Sequence, residues 1–173
     1  MSIWTHAYCE IRTPKAMTFE ELQKAFGKEC LYKWDYNLNL AYEKLHGKEA
    51  YEKAIEEISN YNQKLAEEYD KDPKAYLPCG SEGSLSYMRD IRQLHSEDGR
   101  FRYIITGNLR DYSDDIGIIK WFCDKFLGWK HSLTDVDEDL VYGYVSAGMG
   151  AGEFSWQYGP KDIREVGENE RTE

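Results

Sequence analysis

The residues with chemistry to offer fall into several small groups, and none of them completes a catalytic set. Trp4, His6 and Tyr8 alternate with Thr5, Ala7, Cys9 and Ile11. In an extended chain that period of two puts three rings on one side and small or apolar groups on the other. Rings on a solvent-side strand can stack a planar ligand, meet a second copy of the chain, or lie beneath another element. A second group is Gly80-Ser81-Glu82-Gly83-Ser84, whose glycines permit positive φ and whose amides can face an anion. It lacks the Lys-Ser/Thr pair of a phosphate loop, and Glu82 would repel phosphate, so a structural turn is the favoured reading. In a third, Arg110 and Asp111 follow Gly107-Asn108-Leu109 at the entry to a helix. There they either hold a ligand or form an ion pair that fixes the junction.

Asp135, Asp137 and Asp139 have the alternate carboxylates of a calcium loop, but Leu140 and Ser146 stand where such a loop needs glycine and glutamate. A solvated acidic loop is the better reading. Gly148, Gly150 and Gly152 precede no helix at dinucleotide-binding spacing and make no Rossmann fingerprint. His6, His46, His95 and His131 have no i, i+4 partner and no neighbouring nucleophile motif. Cys9, Cys30, Cys79 and Cys123 show no C-x-x-C spacing. Reduced, partly buried thiols are therefore expected rather than a zinc site. No cofactor or metal is expected, and a non-enzyme is favoured. A hydrolase built on His6 with Glu10 or Asp111 would lack a nucleophile, a metal set and a phosphate loop.

The elements that must position these groups follow from periodicity. Residues 3–12 read as a strand ended by Pro14, and Thr18 with Glu21 starts a helix at 19–27 that stops at Gly27. Residues 39–70 change to helical spacing, with Tyr51, Ala54/Ile55, Ile58, Tyr61/Asn62, Leu65 and Tyr69 three to four apart and Gly47 dividing a shorter leading segment from the rest. Residues 85–95 and 100–109 read as strands joined by a turn containing Asp98-Gly99, followed by a helix at 114–127 that stops at Gly128. A strand at 140–147 and an apolar stretch from Phe154 to Tyr158 form a closing hairpin, which adds Tyr142 and Tyr144 to the outer rings. The expected fold is α+β: a ferredoxin-like, split β-α-β sheet with a long helical insertion at about 30–75 and a C-terminal hairpin. Residues 1–160 form one domain and 161–173 a disordered acidic tail.

Charge narrows the partners. The 173 residues carry 32 Asp+Glu against 22 Lys+Arg, a formal net charge of −10, which opposes general nucleic-acid binding and suits a partner with a basic surface. The acidic excess concentrates on Glu49, Glu52, Glu56 and Glu57 of the inserted helix and on the 135–139 loop. Arg89, Arg92, Arg100, Arg102 and Arg110 cluster instead around the central strands and allow a local anion site. The N-terminal residues lack the pattern of a signal peptide, and no apolar run approaches the ~18 residues of a membrane span, so a soluble cytoplasmic protein is expected.

In Met1-Ser2-Ile3-Trp4-Thr5-His6, in Pro78-Cys79-Gly80-Ser81-Glu82-Gly83-Ser84-Leu85 and in Gly107-Asn108-Leu109-Arg110-Asp111-Tyr112, the chain resembles small uncharacterised proteins encoded by bacteriophages. The resemblance covers about half of the chain and omits the insertion. It implies a viral accessory protein in the host cytoplasm. From this and the charge balance we expect a binding protein that inhibits a host factor, such as a nuclease-based defence complex of the CRISPR kind. Contact would run through Glu49, Glu52, Glu56, Glu57, Asp135, Asp137 and Asp139 to a basic protein or ribonucleoprotein. The alternative is a small-molecule or nucleotide-signal binder using Trp4, His6, Tyr8, Gly80, Ser81, Gly83, Arg89 and Arg110. Homodimerisation through the ring-bearing face is a further expectation.

Overall fold

The computed structural model describes residues 4–33, 40–81, 83–88, 94–95, 99–111, 115–149 and 154–158. The first strand, β1 (Trp4–Thr13), alternates as its sequence requires: Thr5, Ala7, Cys9, Ile11 and Thr13 are buried, while Trp4 and His6 are exposed. Helix α1 (Phe19–Phe26) starts from a complete capping box. The Glu21 amide donates to Thr18 Oγ1 at 3.2 Å, and the Thr18 amide donates to the Glu21 carboxylate at 2.8 Å. Two N–H groups that the helix cannot pair internally are thereby satisfied. Gly27 ends the helix at φ 126°, with its Cα so close to Tyr76 that a Cβ would meet that backbone at 2.7 Å.

The insertion contains α2 (Leu40–His46) and α3 (Lys48–Lys71), separated by Gly47 at φ 87°. Along α3 the residues Tyr51, Ile55, Ile58, Leu65 and Tyr69 form the half-buried stripe that the helical spacing predicts, yet none is fully buried. The helix is fixed by polar clips. Asn62 accepts from the Lys33 amide at 2.8 Å and donates to the Lys33 carbonyl at 2.7 Å, and the rings of Tyr69 and Tyr76 lie 5.7 Å apart.

Beyond a 3-10 turn at Pro73–Ala75 come β2 (Ser86–Tyr87), β3 (Leu94–His95), β4 (Phe101–Arg110), α4 (Asp115–Ser132), β5 (Tyr142–Met149) and β6 (Phe154–Tyr158). They join β1 in one antiparallel sheet of order β2-β4-β1-β5-β6, with β3 also pairing β4. The chain is thus a mixed α+β protein. Within the expected strand at 85–95, residues 86–87 and 94–95 pair with β4, and 89–93 lie outside the described residues. The expected tail at 161–173 also lies outside them.

One face of the sheet carries the core. Cys9 and Ile11 of β1, Ile105 and Leu109 of β4 and Val145 of β5 are covered by Leu22 and Phe26 of α1 and by Ile118, Phe122 and Phe126 of α4. The rings of Phe26, Phe122 and Phe126 stack in sequence at 5.9 and 5.8 Å. Gly143 makes room for this stack, since a Cβ there would meet the Phe126 ring at 2.9 Å. Helix α4 does not stop at Gly128 but continues to Ser132. A helical glycine costs roughly 1 kcal/mol relative to alanine. The turn beyond it offsets that cost by placing Trp129 against Phe26 and Phe126 and by burying Lys130, whose Nζ donates to the Val141 carbonyl.

Candidate binding site on the open sheet face

Strand register assembles the site on the face opposite the core. Arg12 lies across from Arg102 on β4 and from Tyr142 on β5; Glu10 lies across from Ile104 and Tyr144; Tyr8 lies across from Thr106 and Ser146. Two arginines directly opposite each other in an antiparallel pair repel. Glu10, one pleat away, is the group that reconciles them. Its carboxylate accepts from Arg12 Nε at 2.5 Å, pairs with Arg102 Nη2 at 2.9 Å, and accepts from the Tyr8 hydroxyl at 2.6 Å. The same Tyr8 oxygen accepts from Arg102 at 2.6 Å, which closes the network.

The Glu10 side chain is only 9% exposed. Burial alone would raise its pKa, but the hydrogen bonds from Tyr8, Arg12 and Arg102 outweigh that and hold the carboxyl below its ordinary range. Tyr8 is shifted upward, first by burial and then by the adjacent carboxylate. Beside the network, the Arg100 guanidinium lies 4.0 Å from the centroid of the Tyr142 ring, a cation-π contact, and donates to the Leu140 carbonyl at 3.3 Å. Tyr144 meets Tyr8 edge-on at 6.2 Å. Glu10, Arg12, Arg100 and Tyr142 to Tyr144 line an open pocket of about 400 Å³. Three guanidiniums against one carboxylate make this region locally cationic within an acidic chain.

The other end of the same face holds Trp4, His6 and Arg110. Trp4 pairs in register with Arg110, His6 Nδ1 lies 2.5 Å from Asn108 Oδ1, and Arg110 Nε is 3.6 Å from the Asp111 carboxylate. Trp4 is 38% exposed, so no element among the described residues buries this end of the face. On either side of Glu82, which lies outside the described residues, Gly80, Ser81 and Gly83 form a packed turn. The Gly80 amide donates to the Gly83 carbonyl at 3.0 Å, the Ser81 amide to the Arg110 carbonyl at 3.1 Å, and Ser81 Oγ to Asp111 at 3.0 Å. A Cβ on Gly83 would come within 2.1 Å of the Asn108 oxygen, and its φ is +79°. Close backbone approach, rather than an anion cradle, explains these glycines. Arg89, expected to add an anion contact, lies outside the described residues.

The acidic candidates are elsewhere. Glu49, Glu52, Glu56 and Glu57 are exposed on α3, with Lys48–Glu52 at 3.5 Å and Lys53–Glu57 at 3.9 Å along the helix. Asp135 pairs with Lys15 at 3.0 Å, and its pKa is lowered by that hydrogen bond. Asp137 caps the 3-10 turn at Glu138–Leu140 by accepting from the Asp139 amide at 3.0 Å. Among the described residues no group of three or more His, Cys, Asp or Glu could hold a metal ion, and no helix is long and apolar enough to cross a membrane.

Sequence reasoning missed Arg12. The signal was available, because positions 4, 6, 8, 10 and 12 continue one strand face. No protein-family model, curated protein or solved structure matches the chain.

Proposed function

We propose that this protein binds a small planar anion, a nucleotide or nucleotide-like signal, on the open face of its sheet. The observation that carries this reading is the convergence of Arg12, Arg100, Tyr142 and Tyr144 around one pocket, with Arg102 and Tyr8 bonded to the Glu10 that also lines it. Guanidiniums offer forked donors to phosphate oxygens, and aromatic faces stack a base for about 1–3 kcal/mol. Glu10 fixes the arginine geometry before a ligand arrives, which lowers the ordering cost of binding. We read the supporting scaffold as ferredoxin-like, on the grounds that β4 lies between β1 and the β2 edge while β1 lies between β4 and β5.

Calorimetry with a panel of mono-, di- and cyclic nucleotides tests this reading. Saturable binding should weaken about tenfold or more in Arg100→Gln and Tyr144→Leu, and should be unchanged when Glu52, Glu56 and Glu57 are all replaced by lysine. Absence of heat with every nucleotide at millimolar concentration would sink it. A second reading keeps the acidic face of α3 as the contact of a phage-type inhibitor with a basic host factor. It is favoured by the exposure of Glu49, Glu52, Glu56 and Glu57 on a helix with no buried residue. The triple lysine variant separates the two, because it should slow association with such a partner several-fold.

A further inference from the structure

The four thiols are not equivalent. After α1 the chain runs alongside residues 75–77: the Lys28 amide donates to the Ala75 carbonyl at 2.8 Å, and the Leu77 amide to the Lys28 carbonyl at 2.7 Å. This parallel bridge carries the two chain segments forward together and brings the thiols of Cys30 and Cys79 into side-chain contact. Cys30 is fully buried, whereas Cys79 is partly exposed at the start of the packed turn. Tyr32 contacts Cys30, and the Tyr69 hydroxyl contacts Cys79 from α3. Cys9 and Cys123 are also neighbours, but both are buried among core residues.

We propose that Cys30 and Cys79 are an oxidisable pair in which Cys79 is the peroxide-reacting thiol and Cys30 resolves it into a disulfide. Contact with Cys30 and Tyr69 lowers the Cys79 pKa, while contact with Cys79 and burial raise that of Cys30. The exposed partner is therefore the better thiolate. In the first step Cys79 sulfur attacks one oxygen of hydrogen peroxide, forming a sulfenic acid as the O–O bond breaks; the departing hydroxide takes up the proton that the thiol lost and leaves as water. In the second step Cys30 sulfur attacks the sulfenic sulfur, the S–S bond forms, and the hydroxyl leaves with the Cys30 proton as a second water. Two electrons pass from the two sulfurs to the peroxide. The product encloses residues 31–78, and so the whole helical insertion, in a covalent loop.

Treating the full chain with a modest excess of hydrogen peroxide, then blocking free thiols and digesting with trypsin, tests the assignment. The expected result is a loss of about 2 Da and a link between peptides 29–33 and 75–89, with a thermal midpoint raised by several degrees and restored by dithiothreitol. Cys30→Ser should stop at a dimedone-reactive sulfenic acid on Cys79. If that variant fails to fold, the order of maleimide labelling in the native wild type decides instead, with Cys79 expected before the other three. A link through Cys9 or Cys123, an intermolecular link, or no link under peroxide that fully oxidises free cysteine would overturn the proposal.

Discussion

The open sheet face and α3 offer a partner opposite kinds of charge. On α3 the acidic side chains are numerous and exposed, and Glu52 and Glu57 are tied to lysines by i, i+4 contacts at 3.5 and 3.9 Å. On the sheet the charges are few, but Arg12, Arg102 and Tyr8 are locked onto Glu10 over a strand register fixed by the β1–β4 and β1–β5 ladders. Solvated pairs on a helix contribute about 0.3–0.5 kcal/mol each and shape long-range attraction. A fixed network instead gives defined donor directions. Net charge describes the first surface well and conceals the second.

The sharpest separation between the two regions should come from beneath them. Phe122 is fully buried between Phe26 and Phe126, so Phe122→Ala leaves a cavity under the sheet and should cost about 3–5 kcal/mol, enough to threaten folding altogether. Ile58→Ala on half-buried α3 should cost about 1 kcal/mol or less. Urea titration of both variants checks this. Equal losses would mean that α3 carries as much of the stability as the sheet, and the contrast would fail.

A smaller effect should mark the network itself. Arg102→Ala removes one of the two cations on Glu10 and the donor to Tyr8. The expected loss is about 1–2 kcal/mol, below that of a fully buried pair because Arg102 remains about one-third exposed. Lys48→Ala, which breaks an exposed α3 pair, should cost only a few tenths of a kcal/mol. A double-mutant cycle between positions 10 and 102 sharpens the comparison, since coupling should exceed that between 48 and 52.

Much of this was legible in the residues. The alternation of β1, the Thr18 cap and the break at Gly47 follow from local chemistry, and each appears where its residues direct. The ring-bearing face is likewise a consequence of period two. What local chemistry does not carry is pairing across the chain: nothing near Arg12 announces Arg102, and nothing near Cys30 announces Cys79. The run of α4 past Gly128 belongs to the same class, because a weak local signal yields to the packing of Trp129 against residues far away in sequence. Sequence position shows which groups exist, while register and packing decide which of them meet.

The gentlest probe of the comparison is pH. The folded-state pKa of Glu10 is lowered, so its contribution is fully present above the unfolded value near 4.5 and is lost as pH falls through the lower folded value. Glu21, held by the Thr18 amide, and Asp135, held by Lys15, are lowered too and share the acid limb. Glu10→Gln should therefore be less stable than wild type near neutrality, with the gap holding down to about the unfolded value of 4.5 and narrowing below it as the network carboxylate protonates. Stability at successive pH values by urea titration measures that gap. Parallel curves for the two proteins would mean that the ionised carboxylate does not hold the arginines, and the distinction between a fixed and a solvated charge surface would lose its basis.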